Sequence, residues 1–250
     1  MKESITYTLV TGASSGIGQA IAVRLAQEGR SLLLHGRDLT RLEETFRLCG
    51  GSGHEYWVQD LGQPENVQPS LEACIADHHL RLEGFVHSAG MASILAARAI
   101  DLAGCSRVLN VNAVSAMLIT GSLAKRKVAK ESLQSIVFIS SLFSRFGAKA
   151  HSLYAASKGA IDAFMRCVAL ELAPIRVNSV CPGIIETKIA SSAFQDEEIR
   201  ENILKTYPLG IGQPLDIAEM VAFLLSKKAK WITGQQFFVD GGRSANMSHK

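Results

Sequence analysis

A tyrosine and a lysine four positions apart, Tyr154 and Lys158, stand at the start of a stretch with helical periodicity that runs to Leu172. On a helix this spacing puts both side chains on one face, with Cβ atoms about 5–6 Å apart. A free tyrosine has a pKa of about 10, but an ammonium group one turn away favours the phenolate and lowers that pKa. The alternative is a lysine that extends along the surface past a half-buried tyrosine. The pair taken alone is more typical of this second arrangement; as a catalytic pair it would supply a proton donor for a developing alkoxide, or a base for an alcohol.

The segment TGASSGIG, residues 11–18, places three glycines between a predicted strand and a predicted helix. Gly12 can adopt the positive φ of a tight turn, Gly16 lets the backbone approach a ligand, and Gly18 lets the helix pack close to the strand. The unpaired N–H groups and positive dipole end of the helix would then face phosphate oxygens. A flexible turn is the alternative. Between a strand and a helix, the pattern predicts a pyrophosphate-binding loop.

Strand-like and helix-like segments alternate along the chain, and no proline- or glycine-rich linker separates them. Such alternation indicates a parallel sheet with helices on both faces. The fold class is therefore α/β, in a single domain over residues 1–250. The predicted strands are 5–11, 31–36, 54–59, 84–90, 134–140, 175–183 and 235–242, and the predicted helices are 16–27, 39–49, 64–79, 100–130, 152–173 and 215–226.

The composition limits the classes of function. The 250 residues are 47% hydrophobic and 20% charged, with a formal net charge of +3, which indicates a substantial core and argues against disorder. The densest basic cluster, 125–130, is typical of a solvated helix end, so nucleic acid is not an expected partner. No apolar run approaches the roughly 20 residues of a membrane span. The start, MKESITYTLV, reads as a first strand without a signal peptide.

The cysteines and histidines predict neither disulfides nor a metal site. Five cysteines lie far apart without CxxC pairing, and the adjacent His78 and His79 have no carboxylates at ligand spacing. Free thiols are typical of a reducing compartment. We therefore expect a cytoplasmic protein that has no structural metal and does not associate with a membrane.

Seven further motifs follow the glycine segment and extend over nearly the whole chain. They are "DL" (60–61), "SAG" (88–90), "NVNA" (110–113), "ISS" (139–141), "YAASK" (154–158), "PGIIET" (182–187) and "ITGQQFFVDGG" (232–242). In this order they resemble the short-chain dehydrogenase/reductase family in its single-domain form. The resemblance implies a single-domain, doubly wound Rossmann fold with about seven parallel strands and helices on both faces. It also implies hydride transfer between a nicotinamide dinucleotide and a carbonyl or secondary alcohol, without metal.

The resemblance gives four residues catalytic roles. Tyr154 becomes the general acid/base, and Lys158 also bonds the nicotinamide ribose. Ser141 precedes Tyr154 by the family's spacing, at a predicted strand end, and donates to the carbonyl oxygen. Asn112 matches the family asparagine that holds a water linking the lysine to solvent. Taken alone, Asn112 could instead satisfy a buried backbone group, and Ser141 could be a polar strand end.

The second strand ends without the acidic residue that would bind both ribose hydroxyls of NAD. Gly36 occupies that position, and Arg37 can bind a 2′-phosphate through charge-assisted bonds. Asp38 is then expected as a helix N-cap, while Ser15 replaces the basic residue of some NADP enzymes. NADP is therefore predicted, with NAD the less favoured cofactor. The predicted cofactor-binding residues are Gly12, Ser14, Ser15, Gly16, Ile17, Gly18, Arg37, Asp60, Leu61, Ala89, Gly90, Tyr154, Lys158, Pro182, Gly183, Ile185 and Thr187.

The sequence departs from the family pattern at two places. His87 and Ser88 stand where the family commonly has two asparagines, and the segment 173–175 is about two residues shorter than usual. Neither removes a catalytic group. Ser88 is expected to substitute as a hydrogen-bonding group between strands.

The substrate is expected over the nicotinamide, among 93–95, 143–147 and 184–209, the last forming a helical lid. The apolar pocket candidates indicate a partly apolar small-molecule carbonyl or alcohol, free or carrier-bound; they are Ile94, Leu142, Phe143 and Phe146. In general look the chain is most similar to 3-oxoacyl-carrier-protein reductases. By resemblance the protein is expected to be a homo-oligomer, a tetramer or dimer, through the helices near 100–125 and 152–173.

Two other functions stay open at this level. A catalytically idle NADP-binding sensor or scaffold would keep the pocket without turnover, although the intact catalytic residues argue against it. A nucleotide-sugar epimerase or dehydratase shares the YxxxK pattern, but such proteins are generally longer and carry a substrate domain.

Overall fold

The computed structural model of this chain describes residues 5–125, 128, 132–187 and 197–246. Its strands are β1 (Tyr7–Thr11), β2 (Ser31–Gly36), β3 (Glu55–Val58), β4 (Leu82–His87), β5 (Ser135–Ile139), β6 (Arg176–Pro182) and β7 (Gln236–Val239). They form one parallel sheet of seven strands in the order β3-β2-β1-β4-β5-β6-β7. The chain therefore builds outward from β1 in one direction and then crosses back to build in the other. The predicted doubly wound α/β fold is confirmed.

Helices cover both faces of the sheet. They are α1 (Gly16–Gln27), α2 (Leu39–Leu48), α3 (Pro64–Asp77), α4 (Leu102–Leu109), α5 (Ser115–Leu123), α6 (Ser152–Glu171), α7 (Glu197–Thr206) and α8 (Pro214–Leu225). A π-helical turn, Asn110–Val114, joins α4 to α5. Asp38 is the N-cap of α2, as predicted, since its Oδ1 accepts from the Arg41 N–H at 3.2 Å.

Two apolar layers form because alternate strand residues point to opposite faces. Leu9 and Phe85 pack on one face with residues of α3, α5 and α6. Val10 and Val86 pack on the other with residues of α1 and α8. Both layers are closed to solvent, which agrees with the continuous apolar runs of buried parallel strands. This rigid support carries the strand ends on which the site is built.

The predicted boundaries agree with the structure to within a few residues, with one exception. The helical region predicted over 100–130 is divided by the π-helical turn, and α5 ends at Leu123. Positions 126, 127 and 129–131 of that prediction lie outside the described residues. The predicted lid, 184–209, contains α7, while its positions 188–196 also lie outside the description.

One described helical span, Leu102–Leu123, is long and apolar enough to cross a membrane by length and composition alone, contrary to the sequence-based expectation. Its second half is a core helix, because Ala116, Ile119 and Leu123 are buried in the layer formed with α3 and α6. The Gln68 side chain of α3 also donates to the Leu118 carbonyl at 3.2 Å. Burial in the protein core accounts for the apolar character of this half.

Candidate active site

The candidate site lies at the carboxyl edge of the sheet, where the strand order reverses between β1 and β4. In open α/β sheets, ligands bind in the crevice at such a reversal. The structure brings the predicted residues to this edge from the ends of β1, β2, β4, β5 and β6. Helix α6 adds Tyr154 and Lys158 from one flank.

The glycine loop after β1 is built for close backbone approach. Gly12 has φ +67°, and a Cβ there would lie 2.8 Å from the Ala89 backbone. A Cβ on Gly18 would overlap the Gly12 carbonyl, so α1 starts directly against the strand end. Gly16 has φ +57° and open space in front of it except for Thr187, 3.5 Å from an added Cβ. These three positions admit only glycine without strain or collision.

The start of α1 leaves donors free for a ligand. Ser15 is the N-cap residue but makes no side-chain capping bond, so it does not occupy the first helical N–H groups. The loop itself is anchored to β2, since Ala13 N–H donates to the His35 carbonyl at 2.9 Å. Ile17 packs into the adjacent apolar layer. Uncapped donors at a helix N-terminus behind a glycine cradle fit a dinucleotide pyrophosphate.

The end of β2 offers no acidic side chain. A Cβ on Gly36 would lie 3.3 Å from Ser14 Cβ and 3.2 Å from the Leu42 side chain, so the glycine sits tightly beside the loop. Arg37 follows and is exposed. At the end of β3, Asp60 Oδ1 accepts from the Gly62 N–H at 2.9 Å, and Leu61 is buried. The geometry suits an adenosine lying across these strand ends.

The segment after β4 is held by Thr11. Its hydroxyl oxygen accepts from the Ser88 N–H at 3.1 Å and from the Ala89 N–H at 3.2 Å, and it lies 3.0 Å from His87 Nδ1. His87 is fully enclosed, and burial lowers its pKa to about 3. In this structure Thr11, a residue the sequence analysis did not single out, connects the β1 and β4 ends. Its place as the last residue of a strand before the glycines was the available signal.

The segment after β6 crosses toward the glycine loop. A Cβ on Gly183, which follows Pro182, would lie 2.8 Å from both Asp240 Cα and the Tyr207 ring. Ile185 is buried and forms a parallel bridge with Gly212. Thr187 reaches Gly16, as described above. The predicted residues 182–187 therefore close one side of the crevice.

The structure brings the residues that are predicted to be catalytic together around Tyr154. Lys158 lies one helical turn away, with Nζ 5.8 Å from the tyrosine ring centroid. Its side chain is only 3% exposed, and Nζ donates to the Ile139 carbonyl at 2.9 Å. Ser141 follows β5, and its side chain lies near enough to the Tyr154 phenol to favour the phenolate. A lysine that extends along the surface is therefore excluded, since Lys158 is buried beside the partly buried Tyr154.

The pKa values correct one expectation. Burial raises the pKa of Tyr154, and the nearby Ser141 side chain only partly opposes that rise. Burial lowers the pKa of Lys158 to about 8, with Asp162 acting in the opposite direction. The predicted lowering of the tyrosine pKa is therefore wrong for this structure, because burial of the phenol outweighs the opposing effect of Ser141.

Asn112, in the π-helical turn, is fully buried. Its Oδ1 accepts from the Met91 N–H at 2.8 Å, and its Nδ2 donates to the Met91 carbonyl at 3.0 Å and to Ser157 Oγ at 2.9 Å. A Cβ on Gly90 would lie 3.3 Å from Lys158 Nζ and 3.5 Å from Asn112 Oδ1, so the amide and the ammonium face one glycine. Asn112 therefore does form hydrogen bonds with buried backbone groups, and the proposal that it holds a water stays a prediction. Ser157, inside the YAASK motif, was missed.

The face beyond Tyr154 is partly apolar. The Phe143 ring lies edge-on to the tyrosine with centroids 6.4 Å apart, and Phe146 and Ile94 are exposed. Leu142, expected in the pocket, is instead buried, because its 3₁₀ turn faces inward. Among the residues that the structure describes, no group of three or more histidine, cysteine or acidic side chains is placed to hold a metal ion.

Known proteins are similar to this chain over almost its full length. The family model described as enoyl-(acyl carrier protein) reductase matches residues 12–244. A tropinone reductase homologue from Arabidopsis thaliana is 35% identical over 243 residues, covering 95% of this chain and 90% of that protein. A solved short-chain type dehydrogenase/reductase from Mycobacterium ulcerans has a TM-score of 0.87 at 30% identity and covers 96% of this chain and 90% of its own. An actinorhodin polyketide ketoreductase variant, solved with NADPH, has a TM-score of 0.89 at 28% identity, covering 97% and 98%.

Proposed function

Because this chain belongs to the short-chain dehydrogenase/reductase family and is an oxidoreductase of that kind, we propose that it transfers a hydride between NADP(H) and a carbonyl or secondary alcohol. Tyr154 acts as the general acid in reduction and the general base in oxidation. The observation that carries the proposal is the placement of Tyr154 over the buried Lys158 ammonium, at the strand reversal where the glycine loop opens.

The chain's own residues perform three tasks. The glycine loop and the N-terminus of α1 would hold the pyrophosphate of the dinucleotide. When bound, the nicotinamide supplies or accepts the hydride. Ser141 donates a hydrogen bond to the substrate oxygen and Tyr154 transfers the proton to it, so that the alkoxide never develops a full charge.

Lys158 supports the proton transfer through its positive charge. With a pKa of about 8 it is mostly protonated at neutral pH, and its charge stabilises a phenolate as it forms. Asn112 bonds both the Met91 backbone and the side chain of Ser157, the residue before Lys158. The Ile139 carbonyl holds the ammonium itself. Replacement of the proton from solvent along Asn112 completes the cycle.

A preference for NADP follows from charge at the end of β2. No acid stands at Gly36 to accept ribose hydroxyls or to repel a 2′-phosphate, and exposed Arg37 can reach an anion there. The related ketoreductase structure with NADPH supports the same preference. The substrate is a partly apolar ketone or alcohol, since Phe143, Phe146 and Ile94 lie on the open side.

A cofactor-coupled screen tests the function. Purified protein should oxidise NADPH in the presence of at least one member of a ketone panel that includes acyl thioesters, sugars and cyclic ketones. Tyr154→Phe is the matched control for adventitious turnover. Tight NADPH binding without turnover on any compound would overturn the oxidoreductase proposal and favour a sensor. Cofactor retained through purification would favour an epimerase or dehydratase.

A further inference from the structure

Helix α6 contacts the end of β5 at three successive turns. The Tyr154 phenol lies near the Ser141 side chain, Lys158 donates to the Ile139 carbonyl at 2.9 Å, and one turn further Asp162 Oδ2 accepts from Ser140 Oγ at 2.8 Å. Three consecutive residues, 139–141, thus each face one residue of a stripe with four-residue spacing, and two of them are hydrogen-bonded to it. The third contact, between Asp162 and Ser140, involves no residue to which a substrate or cofactor contact is assigned.

Asp162 is an acidic residue in an apolar helix face. Its side chain is 2% exposed, between Ile161 and Met165 in the core. Besides the bond from Ser140, Oδ2 lies 3.9 Å from Cys181 Sγ on β6, and Oδ1 has no hydrogen-bond partner among the described residues. A buried carboxylate is costly unless its charge is compensated. The nearby positive group is Lys158.

Several elements place titratable groups around Lys158. Helix α6 contributes Tyr154 and Asp162, β4 contributes His87, and β6 contributes Cys181. Burial lowers the pKa of His87 to about 3 and raises that of Cys181 to about 11, so both are neutral at pH 7. Burial also raises the pKa of Tyr154, which keeps the phenol protonated. Asp162 lies one helical turn from Lys158 and is the acidic side chain that raises the pKa of its ammonium group.

We propose that Asp162 is a positioning residue of the active site: its carboxylate holds the strand end that carries Ser141 and supplies the charge that keeps Lys158 protonated. The inference rests on the proposed function, because it concerns the proton chemistry of Tyr154 and Lys158. It assigns Asp162 and Ser140 a task that substrate and cofactor contacts do not reveal.

The charge part is tested by NMR titration of the Lys158 ammonium in cofactor-free protein, with the signal assigned by its loss in Lys158→Met. Asp162→Asn keeps the shape and removes the charge, so it should lower the pKa of Lys158 by about one unit. Glu83→Gln, which removes a half-buried carboxylate paired with Arg30 at the opposite edge of the sheet, is the control and should leave it unchanged. Superimposable titrations of parent and Asp162→Asn would overturn the charge role.

The positioning part is tested by Ser140→Ala, which keeps the carboxylate but removes its bond to the strand end. We expect kcat to fall roughly 10- to 100-fold because Ser141 shifts relative to Tyr154. The midpoints of the pH profile and the Kd for NADPH should stay as in the parent. In Asp162→Asn, by contrast, the alkaline limb of ketone reduction should move to lower pH, since Lys158 loses its proton earlier.

The outcomes separate the two proposals. If the parent reduces no ketone, the proposed function fails, whereas the Lys158 titration still decides whether Asp162 sets its charge. An unchanged kcat in Ser140→Ala shows that the buried bond serves stability alone, and the positioning role is then abandoned. If Asp162→Asn does not fold, the Ser140→Ala kinetics alone decide.

Discussion

At Tyr154 a single hydroxyl carries the proposed proton transfer, while the ring supplies the edge-on contact with Phe143. Tyr154→Phe should therefore leave folding and NADPH affinity nearly intact and lower kcat by about 10²–10⁴. Steady-state kinetics and thermal melting measure both. Tyr56→Phe, the same change in β3 away from the site, is the control. Comparable kcat in Tyr154→Phe and the parent would end the proposed mechanism.

Arg37 is the residue on which the cofactor preference depends. A charged hydrogen bond to a 2′-phosphate corresponds to roughly 10- to 150-fold in affinity, so Arg37→Ala should weaken NADPH by that factor and barely change NADH. Fluorescence titration with both cofactors measures the effect. Arg47→Ala, at the exposed far end of α2, should change neither. NADH binding as tight as NADPH binding in the parent contradicts the NADP assignment.

Among the elements, the junction of β1 and α1 depends on close backbone contact within the proposed cofactor-binding loop. In Gly18→Ala the added methyl overlaps the Gly12 carbonyl, so the helix must move away from the strand. We expect a loss of about 1–3 kcal/mol in unfolding free energy and weaker NADPH binding. Denaturant unfolding and cofactor titration measure these two effects.

The matched control for that change is Gly121→Ala. Gly121 lies inside α5 on an exposed face, and an added Cβ would lie 3.6 Å from Gln68 Nε2, an ordinary contact. This variant should be more stable than the parent by about 0.5–1 kcal/mol, because alanine loses less backbone entropy on helix formation. If both variants lose stability equally, collision at Gly12 is not the cause.

Across the whole molecule, two enclosed histidines set the response to acid. Burial lowers the pKa of His35 to about 4 and of His87 to about 3, below the unfolded value of about 6.5. The unfolded chain therefore binds protons that the folded chain excludes, and stability falls as the pH drops below about 6.5. Each histidine contributes up to about 1.4 kcal/mol per pH unit.

Denaturant unfolding between pH 7 and pH 5 tests this linkage. Stability should decrease toward pH 5, and the decrease should be smaller in His87→Asn, which removes one of the two titrating groups. His78→Asn, an exposed position, is the control. An unfolding free energy that is independent of pH in this window would show that neither histidine stays neutral in the folded protein.

The assembly of the molecule is also a proposal. Leu102 and Leu170, on the helices expected to form subunit contacts, are 82% and 81% exposed. If these helices pair between copies, Leu102→Asp with Leu170→Asp should lower the mass measured by light scattering toward that of one chain. Leu39→Asp, an exposed leucine on α2, should not. A monomeric parent protein would contradict the homo-oligomer.

The chain itself determined the fold class, the glycine loop and the pairing of Tyr154 with Lys158. Each of these features depends on residues that are close together in the sequence. They are the strand and helix periodicities, the glycines at a strand-to-helix turn, and the side chains one helical turn apart. The N-cap at Asp38 was predictable for the same reason. Ser141 and Asn112 came only through resemblance to a family, because no local spacing connects them to Tyr154.

Contacts between residues distant in sequence were decided by the tertiary structure alone. Thr11 meets the β4 end only because β1 and β4 are neighbours, and Asp162 meets Ser140 only because α6 packs across β5. Burial likewise reversed the expected pKa shift of Tyr154, since enclosure by other elements raises the pKa of the phenol. Sequence spacing specifies which groups share a helix face, but desolvation depends on every element packed around them.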